Sequence, residues 1–374
     1  MNKFSIIAII FLVFSCKNSD EKTESRDINA SFTSKGKTFD LSQSIGSYNK
    51  FHLVNKDTIE MLFAFNSLRP GVDLYNWTDE KFIQPVLLPD TPESYGFMVA
   101  EILPLSADTL LWLDMFGKIL ITGINQELYS SHNLNDYLGT DYHFFFGNNT
   151  SNILNLDQSF LVRIEPESFD PKEAIYFKND LFAKINLNHP DSTVLLGEFP
   201  EAYLDKDYYF FNNTKLGFNH TLGSKERIVI SFRNYEGIYE VFPDGGISHK
   251  IPSKYIPTPT KISRNNNNLN QLEWMIKEGY YHDIITDPFR DKYYRICVFP
   301  QELYDSEGKR NNAALRNFSV QILDKKFHLI KELFVRNDPK IYSFLGNVLS
   351  DEGLYFLRKT ENEDVMVFDR IILE

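Results

Sequence analysis

The stretch KERIVISFRNYEGIYEVFPDGGISHKI, residues 225–251, contains three short apolar runs separated by turns. The first run, at 227–232, is rich in β-branched and aromatic residues, which favour a pleated, half-buried strand. A second run at 238–242 leads into PDGG at 243–246. Proline presets φ, aspartate bonds its own backbone and glycine accepts a positive φ, so PDGG predicts a tight turn. With the third run, at 247–251, the stretch predicts an antiparallel meander of the kind that forms a propeller blade.

Five further segments repeat this pattern. Their first runs start 50 to 68 residues apart, which fits propeller repeats of ~40–50 residues with insertions added. Another apolar stretch precedes every first run and supplies an innermost strand, which completes the four strands of a blade. The first runs lie at 58–65, 109–116, 159–164, 227–232, 293–299 and 353–358, and the preceding stretches lie at 50–55, 95–103, 142–156, 216–222, 280–286 and 341–349.

The last repeat lacks a fourth strand after Ile372. We therefore predict that residues 31–41, a strand-like run around Gly36, form the outer strand of the last blade beside residues 365–373. Such closure removes two exposed sheet edges, which would otherwise pair with other chains. The predicted fold is all-β, a six-bladed β-propeller over residues 31–374 closed by an N-terminal strand, with seven or eight blades as the alternative.

Two short segments carry a family resemblance. FPDGGISHKI at 242–251 resembles strand connections in the six-bladed propellers of the NHL/TolB type. ITDPFRDKYYR at 285–295, together with the chain length and the N-terminus, resembles a family of propeller-like bacterial lipoproteins. The resemblance implies a fold and a cellular address, and it implies no activity.

The N-terminus has the three parts of an export signal. Residues 4–14 are apolar but for Ser5, about half of the ~20 residues that a membrane span needs. The run ends in LVFSC at 12–16, which resembles the lipobox of bacterial lipoproteins. We expect a signal peptide at 1–15, lipidation of Cys16 and a flexible tether at 16–30, so that lipid attaches the protein to a membrane. The predicted location is the cell envelope, as an outer-membrane lipoprotein that is periplasmic or surface-exposed.

The composition limits the classes of partner and chemistry. The formal net charge of the 374-residue chain is −12, which argues against nucleic acid, since phosphate binding needs clustered Lys and Arg. Only residues 269–277 show helical spacing of apolar side chains. Because Cys16 is assigned to lipid, Cys297 is predicted to be a buried thiol in a strand. No hydrolase, zinc or nucleotide motif occurs, so we predict no catalytic residue, metal or cofactor.

Five residues are candidates for ligand binding. His143, His220 and His282 fall in the innermost strands of blades 3, 4 and 5, which line the central channel. Imidazoles are ready acid–base or metal groups, and Asp283 adds a carboxylate beside them. Arg290, in the segment TDPFRDKYYR, is suited to a carboxylate ligand. The alternative is structural, with histidines bonded to neighbouring carbonyls and Arg290 solvated or paired in the tight link between the inner strands of blade 5.

Three functions are compatible with these features. The first is a lipid-anchored binding module for a protein or a glycan-related ligand, because rim loops of propellers carry binding residues. The second is a propeller hydrolase or lyase with a site of histidines and carboxylates in the channel. The third is a structural component of the envelope.

Overall fold

The computed structural model describes residues 28–33, 36–44, 46–56, 58–146, 152–156, 158–168, 170–209, 216–242, 245–257, 262–263, 270–313, 315–336 and 342–373. The predicted signal peptide, Cys16 and the tether up to residue 27 lie outside the described residues, as do Pro243 and Asp244 of the PDGG turn. In the described part of the chain, no helix is long and apolar enough to cross a membrane.

The first half of the chain forms three short strands and three blades. The short strands are β1 (Ile28–Asn29), β2 (Ser31–Phe32) and β3 (Lys37–Asp40). Blade 1 contains β4 (Tyr48–Lys56), β5 (Ile59–Asn66), β6 (Gly71–Asn76) and β7 (Lys81–Leu87). Blade 2 contains β8 (Val99–Pro104), β9 (Thr109–Asp114), β10 (Lys118–Gly123) and β11 (Leu128–Asn133). Blade 3 contains β12 (Tyr142–Phe144), β13 (Ile153–Asn155), β14 (Phe160–Pro166), β15 (Phe182–Ile185) and β16 (Val194–Leu196).

The second half adds three more blades and a small ribbon. After β17 (Tyr208–Tyr209), blade 4 contains β18 (Leu216–Thr221), β19 (Ser224–Phe232), β20 (Gly237–Phe242) and β21 (Gly245–Lys250). Strand β22 (Ile262–Ser263) pairs with β17, and helix α1 (Gln271–Lys277) precedes blade 5. Blade 5 contains β23 (Tyr280–Asp287), β24 (Lys292–Val298), β25 (Phe318–Asp324) and β26 (Leu329–Val335). Blade 6 contains β27 (Tyr342–Leu349), β28 (Leu354–Arg358) and β29 (Val365–Ile372). Single 3-10 turns lie at Pro92–Ser94, Leu134–Tyr137, Ala174–Lys178, Pro190–Ser192 and Glu201–Leu204.

The six predicted blades are confirmed. Apart from β1 at the outer edge of blade 5, the strands of each blade are antiparallel and follow one another from the inside outwards, with β12 and β13 both pairing with β14 in blade 3. The six predicted first runs correspond to the strands that pair with the innermost ones, β5, β9, β14, β19, β24 and β28. The one described α-helix, α1, lies in the segment with helical spacing. Cys297 is fully buried, as expected for a strand thiol.

The predicted closure by the N-terminal segment is also confirmed. Strand β2 pairs with the end of β29, and β3 pairs with its beginning, so that Asp40 lies opposite Val365. Phe39 of β3 is fully buried and packs 5.6 Å from the Trp77 ring of blade 1. A Cβ at Gly36 would lie 2.2 Å from the carbonyl oxygen of Phe368, so glycine is required where the segment crosses β29.

The N-terminal segment also contacts blade 5. Ile28 and Asn29, which belong to the predicted tether, form β1 and pair in parallel with Leu333 and Phe334 of β26. Blade 5 therefore has a fifth strand, and the chain passes from its edge directly to the edge of blade 6.

The core is a ring of apolar layers between neighbouring blades. Each of the six interfaces has its own cluster of buried side chains, such as Trp112 between blades 1 and 2 and Trp77 between blades 6 and 1. Burying one large side chain contributes roughly 1.5–3 kcal/mol, so these layers hold the ring together. The ring positions the innermost strands around the axis and leaves the connecting loops on its two rims.

Candidate functional site

His143 lies in β12 and is associated with carboxylates of its own blade. Its Nε2 atom is 3.9 Å from Glu165 Oε2, and its Nδ1 atom is 3.4 Å from Glu167 Oε1. Glu165 in turn accepts a hydrogen bond from the buried Tyr176 hydroxyl at 2.7 Å. His143 therefore belongs to an acidic patch within blade 3.

The other two predicted histidines have separate surroundings. The carbonyl of His220 accepts a hydrogen bond from Thr286 of blade 5. The ring of His282 packs 5.1 Å from Phe344 of blade 6. Among the residues that the structure describes, no three His, Cys, Asp or Glu side chains are grouped to bind one metal ion. The three histidines therefore do not form a shared metal site, and their role in ligand binding stays a prediction.

Asp283 lies where two inner strands approach each other closely. A Cβ at Gly217 of β18 would lie 2.6 Å from Asp283 Oδ1, so glycine makes room for this carboxylate between blades 4 and 5. Burial raises the pKa of Asp283 to about 6, while a backbone hydrogen bond from Ile284 and the charge of Lys50 act in the opposite direction. Asp283 and His282 form a bulge in β23, opposite Ile296 of β24.

Arg290 connects blade 5 to blade 6. Its Nη1 atom donates to Asp287 Oδ2 at 2.8 Å and to the Ser350 carbonyl at 3.4 Å, and Nη2 donates to the Asp351 carbonyl. Asp287 is fully buried and also accepts from the Tyr294 hydroxyl at 2.6 Å. These contacts correspond to the structural alternative, and ligand binding by Arg290 stays a prediction.

A polar cluster in or directly beside the inner strands of blades 1, 2 and 3 is absent from the predicted site. Lys50 pairs with Glu101, and Glu101 Oε2 accepts from the backbone nitrogen of Asn152 at 2.9 Å and from its side-chain nitrogen at 3.0 Å. Glu101 and Asn152 are each 1% exposed. We call these three residues the axial cluster. A lone glutamate within the apolar segment VAEILP is the sequence signal that points to it.

Two clefts lie side by side between blades 2 and 3. One has a volume of about 600 Å³ and the other about 580 Å³, and both are lined by His132. We call them together the blade 2–3 groove. The first cleft is lined by Lys118, Ser131, His132, Asn133, Asp136, Tyr137 and Pro190, and the second by Ile121, Ser130, His132, Gln158, Phe160, Asn186, Leu187, Asn188 and His189.

Hydrogen bonds fix the imidazole of His132 in this groove. The Tyr137 hydroxyl lies 3.0 Å from His132 Nδ1 and donates to the Leu187 carbonyl of blade 3 at 3.3 Å. With its hydrogen on that carbonyl, Tyr137 accepts from Nδ1–H, and Nε2 of His132 is left as an acceptor. Partial burial lowers the pKa of His132, which favours the neutral ring. At His132 the groove therefore presents a neutral acceptor in a fixed direction.

Comparison with known proteins identifies a family. Residues 29–333 match the model of a domain of unknown function, DUF4221. A crystal structure of a DUF4221 member from Bacteroides vulgatus is similar, with a TM-score of 0.77, 17% identity and coverage of 92% of this chain and 98% of that chain. At this identity the likeness shows the fold alone. Among proteins with curated descriptions, none matches this sequence.

Two more distant structures align over most of their length. A candidate exported protein from Bacteroides fragilis has a TM-score of 0.47 and 10% identity, covering 92% of this chain and 98% of that chain. Regucalcin, a calcium-binding protein from Agrobacterium tumefaciens, has a TM-score of 0.44 and 8% identity, covering 91% and 93%. We infer nothing about this chain from either. The family model spans most of the sequence, and the chain therefore belongs to the DUF4221 family and is a six-bladed β-propeller.

Proposed function

We propose that this DUF4221 propeller is a lipid-anchored binding module of the cell envelope that binds a glycan-related ligand in the blade 2–3 groove. The anchor is Cys16, and the location is the outer membrane. The lipobox-like segment LVFSC at 12–16 supports the anchor. Replacement of Cys16 by serine is expected to move the protein from the membrane fraction to the soluble fraction. An unchanged membrane fraction would contradict the anchor.

The observation that carries the ligand assignment is the chemistry of the groove lining. Saccharides present many hydroxyls, and each needs a donor or an acceptor in a defined direction. Amide side chains offer both, and the groove contains Asn133, Gln158, Asn186 and Asn188 beside the acceptor Nε2 of His132. Only Lys118 and Asp136 among the described lining residues carry a full charge. A neutral sugar therefore fits this lining better than a strongly charged ligand does.

The size of the clefts favours a small ligand over a folded partner. Ligand sites typically have volumes of ≈ 300–1,000 Å³, and the two clefts of about 600 and 580 Å³ lie in this range. Two adjacent clefts are suited to successive residues of an oligosaccharide.

The test is a binding measurement against a panel of neutral oligosaccharides, with uronic-acid and phosphorylated oligosaccharides as charged comparators. We expect a neutral oligosaccharide to bind, and His132→Ala to weaken binding at least about tenfold because one buried polar contact contributes roughly 1.5 kcal/mol. The matched control is His328→Ala, since His328 is 75% exposed and contacts Asp324 in blade 5. Absence of binding across the panel, or equal affinity in His132→Ala and wild type, would contradict the proposal.

A further inference from the structure

Two buried arginines flank one tyrosine at the junction of blades 4 and 5. The guanidinium carbon of Arg233 lies 3.6 Å from the ring centroid of Tyr280, and that of Arg316 lies 4.8 Å from the same centroid. Because both distances are measured to the same centroid, their sum limits the separation of the two guanidinium carbons to about 8.4 Å. We call these three residues the Arg233 site.

Both guanidinium groups are removed from water. Arg233 is 7% exposed and Arg316 is 1% exposed. Burial lowers the pKa of Arg233, a charge interaction and a side-chain hydrogen bond with Tyr280 partly offset this effect, and the charge of Arg316 lowers the pKa further. Two like charges in a poorly solvated position repel each other strongly unless an anion lies between or beside them.

The hydrogen-bonding state of Arg233 distinguishes it from an ordinary structural arginine. Its Nε and Nη2 atoms are buried and have no hydrogen-bond partner among the described residues. Arg316 is held differently, because its Nη1 atom donates to the carbonyls of Ile276 and Glu278 at 3.0 Å each, at the end of α1. Nε and one terminal nitrogen of a guanidinium form the fork that binds two oxygens of a carboxylate or phosphate.

The Arg233 site lies at strand ends that share one rim of the propeller. Arg233 directly follows β19, Tyr280 is the first residue of β23, and Arg316 lies two residues before β25. A hydrogen bond of 2.9 Å from the backbone nitrogen of Tyr281 to the carbonyl of Arg233 fixes blade 4 against blade 5 at this point. The site is therefore held by two blades at one rim of the propeller.

We propose that the Arg233 site binds the oxyanion of a ligand, a carboxylate or a phosphate, at the edge of the Arg233 guanidinium that carries Nε and Nη2. The Nε and Nη2 atoms of Arg233 bind two oxygens of the anion, and Arg316 supplies the second positive charge. The net charge of the whole chain is −12, so this site is a local positive region in an acidic protein. It is separate from the blade 2–3 groove, and it does not depend on the glycan assignment.

The test is thermal unfolding of the full chain in sodium phosphate or sodium acetate, with ionic strength held constant by sodium chloride. A ligand that binds the folded state raises Tm by mass action. We expect a saturable rise of a few degrees with phosphate or acetate, and the anion with the lower half-maximal concentration identifies the class. Arg233→Met should abolish the rise, and Arg233→Lys, which keeps the charge but loses the fork, should raise the half-maximal concentration at least about tenfold.

The matched control is Arg227→Met in the same blade. Arg227 is 55% exposed and interacts with Glu240, so its loss should leave the anion-dependent rise unchanged. A wild-type Tm that does not rise with phosphate or acetate beyond the chloride reference would overturn the proposal. So would a rise in Arg233→Met equal to that of the wild type, since binding would then occur elsewhere.

Discussion

Arg295 and Arg233 occupy similar places in the molecule and differ in how their donors are used. Each guanidinium carbon lies 3.6 Å from a tyrosine ring, Tyr281 for Arg295 and Tyr280 for Arg233. Arg295 is fully buried and Arg233 is 7% exposed. The donors of Arg295 reach Ser231 Oγ and the carbonyls of Tyr235, Glu236, Gly237 and Ile251, at 2.8 to 3.2 Å. Two nitrogens of Arg233 have no such partner within the described residues.

This difference shows that burial and ring stacking alone do not define the role of an arginine. Arg295 belongs to blade 5, and the carbonyls that it binds belong to blade 4 and to the segment that follows it. It is therefore a structural link between two blades, with its charge dispersed over aligned carbonyl dipoles. Arg233 stacks on a tyrosine ring in the same way, but two of its nitrogens lack such hydrogen bonds and are therefore available to a ligand.

The largest expected effect is the loss of the link that Arg295 makes. Replacement of Arg295 by methionine keeps much of the apolar volume and leaves one hydroxyl and four carbonyl contacts without their donor. Removing one member of a buried charged network typically costs about 3–5 kcal/mol, and we expect a loss in this range. Chemical denaturation of the variant and the wild type measures the change in the free energy of unfolding.

The control for this measurement is Arg227→Met, because Arg227 is 55% exposed and belongs to the neighbouring blade 4. Exposed ion pairs contribute at most about 1 kcal/mol, so this variant should differ little from the wild type. Equal stabilities for Arg295→Met and Arg227→Met would show that the hydrogen bonds of Arg295 do not stabilise the fold, and hydrogen bonding would then not distinguish a structural arginine from a ligand-binding one.

The pattern of apolar runs and turns was sufficient to predict the blades. Alternation identifies strands, and tight turns fix their order within each sheet. The missing fourth strand of the last repeat was sufficient to predict the pairing of residues 31–41. Without that segment, the outer edge of β29 would be unpaired. The local pattern of apolar runs and turns therefore predicts most of the architecture.

The positions of polar side chains between blades were harder to predict. In β23 the bulge at His282 and Asp283 changes the pairing register, so alternation cannot tell how Tyr280 and Tyr281 are arranged relative to the neighbouring blade. Arginines 227, 233 and 295 all occur in or beside similar apolar runs, and only the pairing of blades 4 and 5 separates their environments.

The axial cluster, in contrast, could have been found in the sequence. Lys50 and Glu101 are 51 residues apart, and so are Glu101 and Asn152. The first three repeats start at residues 58, 109 and 159, so this interval matches their spacing to within one residue, and the three residues occupy corresponding places in blades 1, 2 and 3. A search for polar residues at the repeat interval would have identified them, whereas a search for histidines did not.

The smallest expected effect on stability is that of Arg233→Met in a buffer without phosphate or carboxylate. The substitution removes the attraction between the guanidinium and the Tyr280 ring, which is worth about 1–2 kcal/mol when desolvated. It also removes a buried charge that is repelled by Arg316 and two donors that have no hydrogen-bond partner among the described residues. Because these contributions oppose each other, the free energy of unfolding should change by no more than about 1 kcal/mol. A loss as large as that of Arg295→Met in the same denaturation experiment would show that Arg233 is also a structural link, and the contrast between the two arginines would then fail.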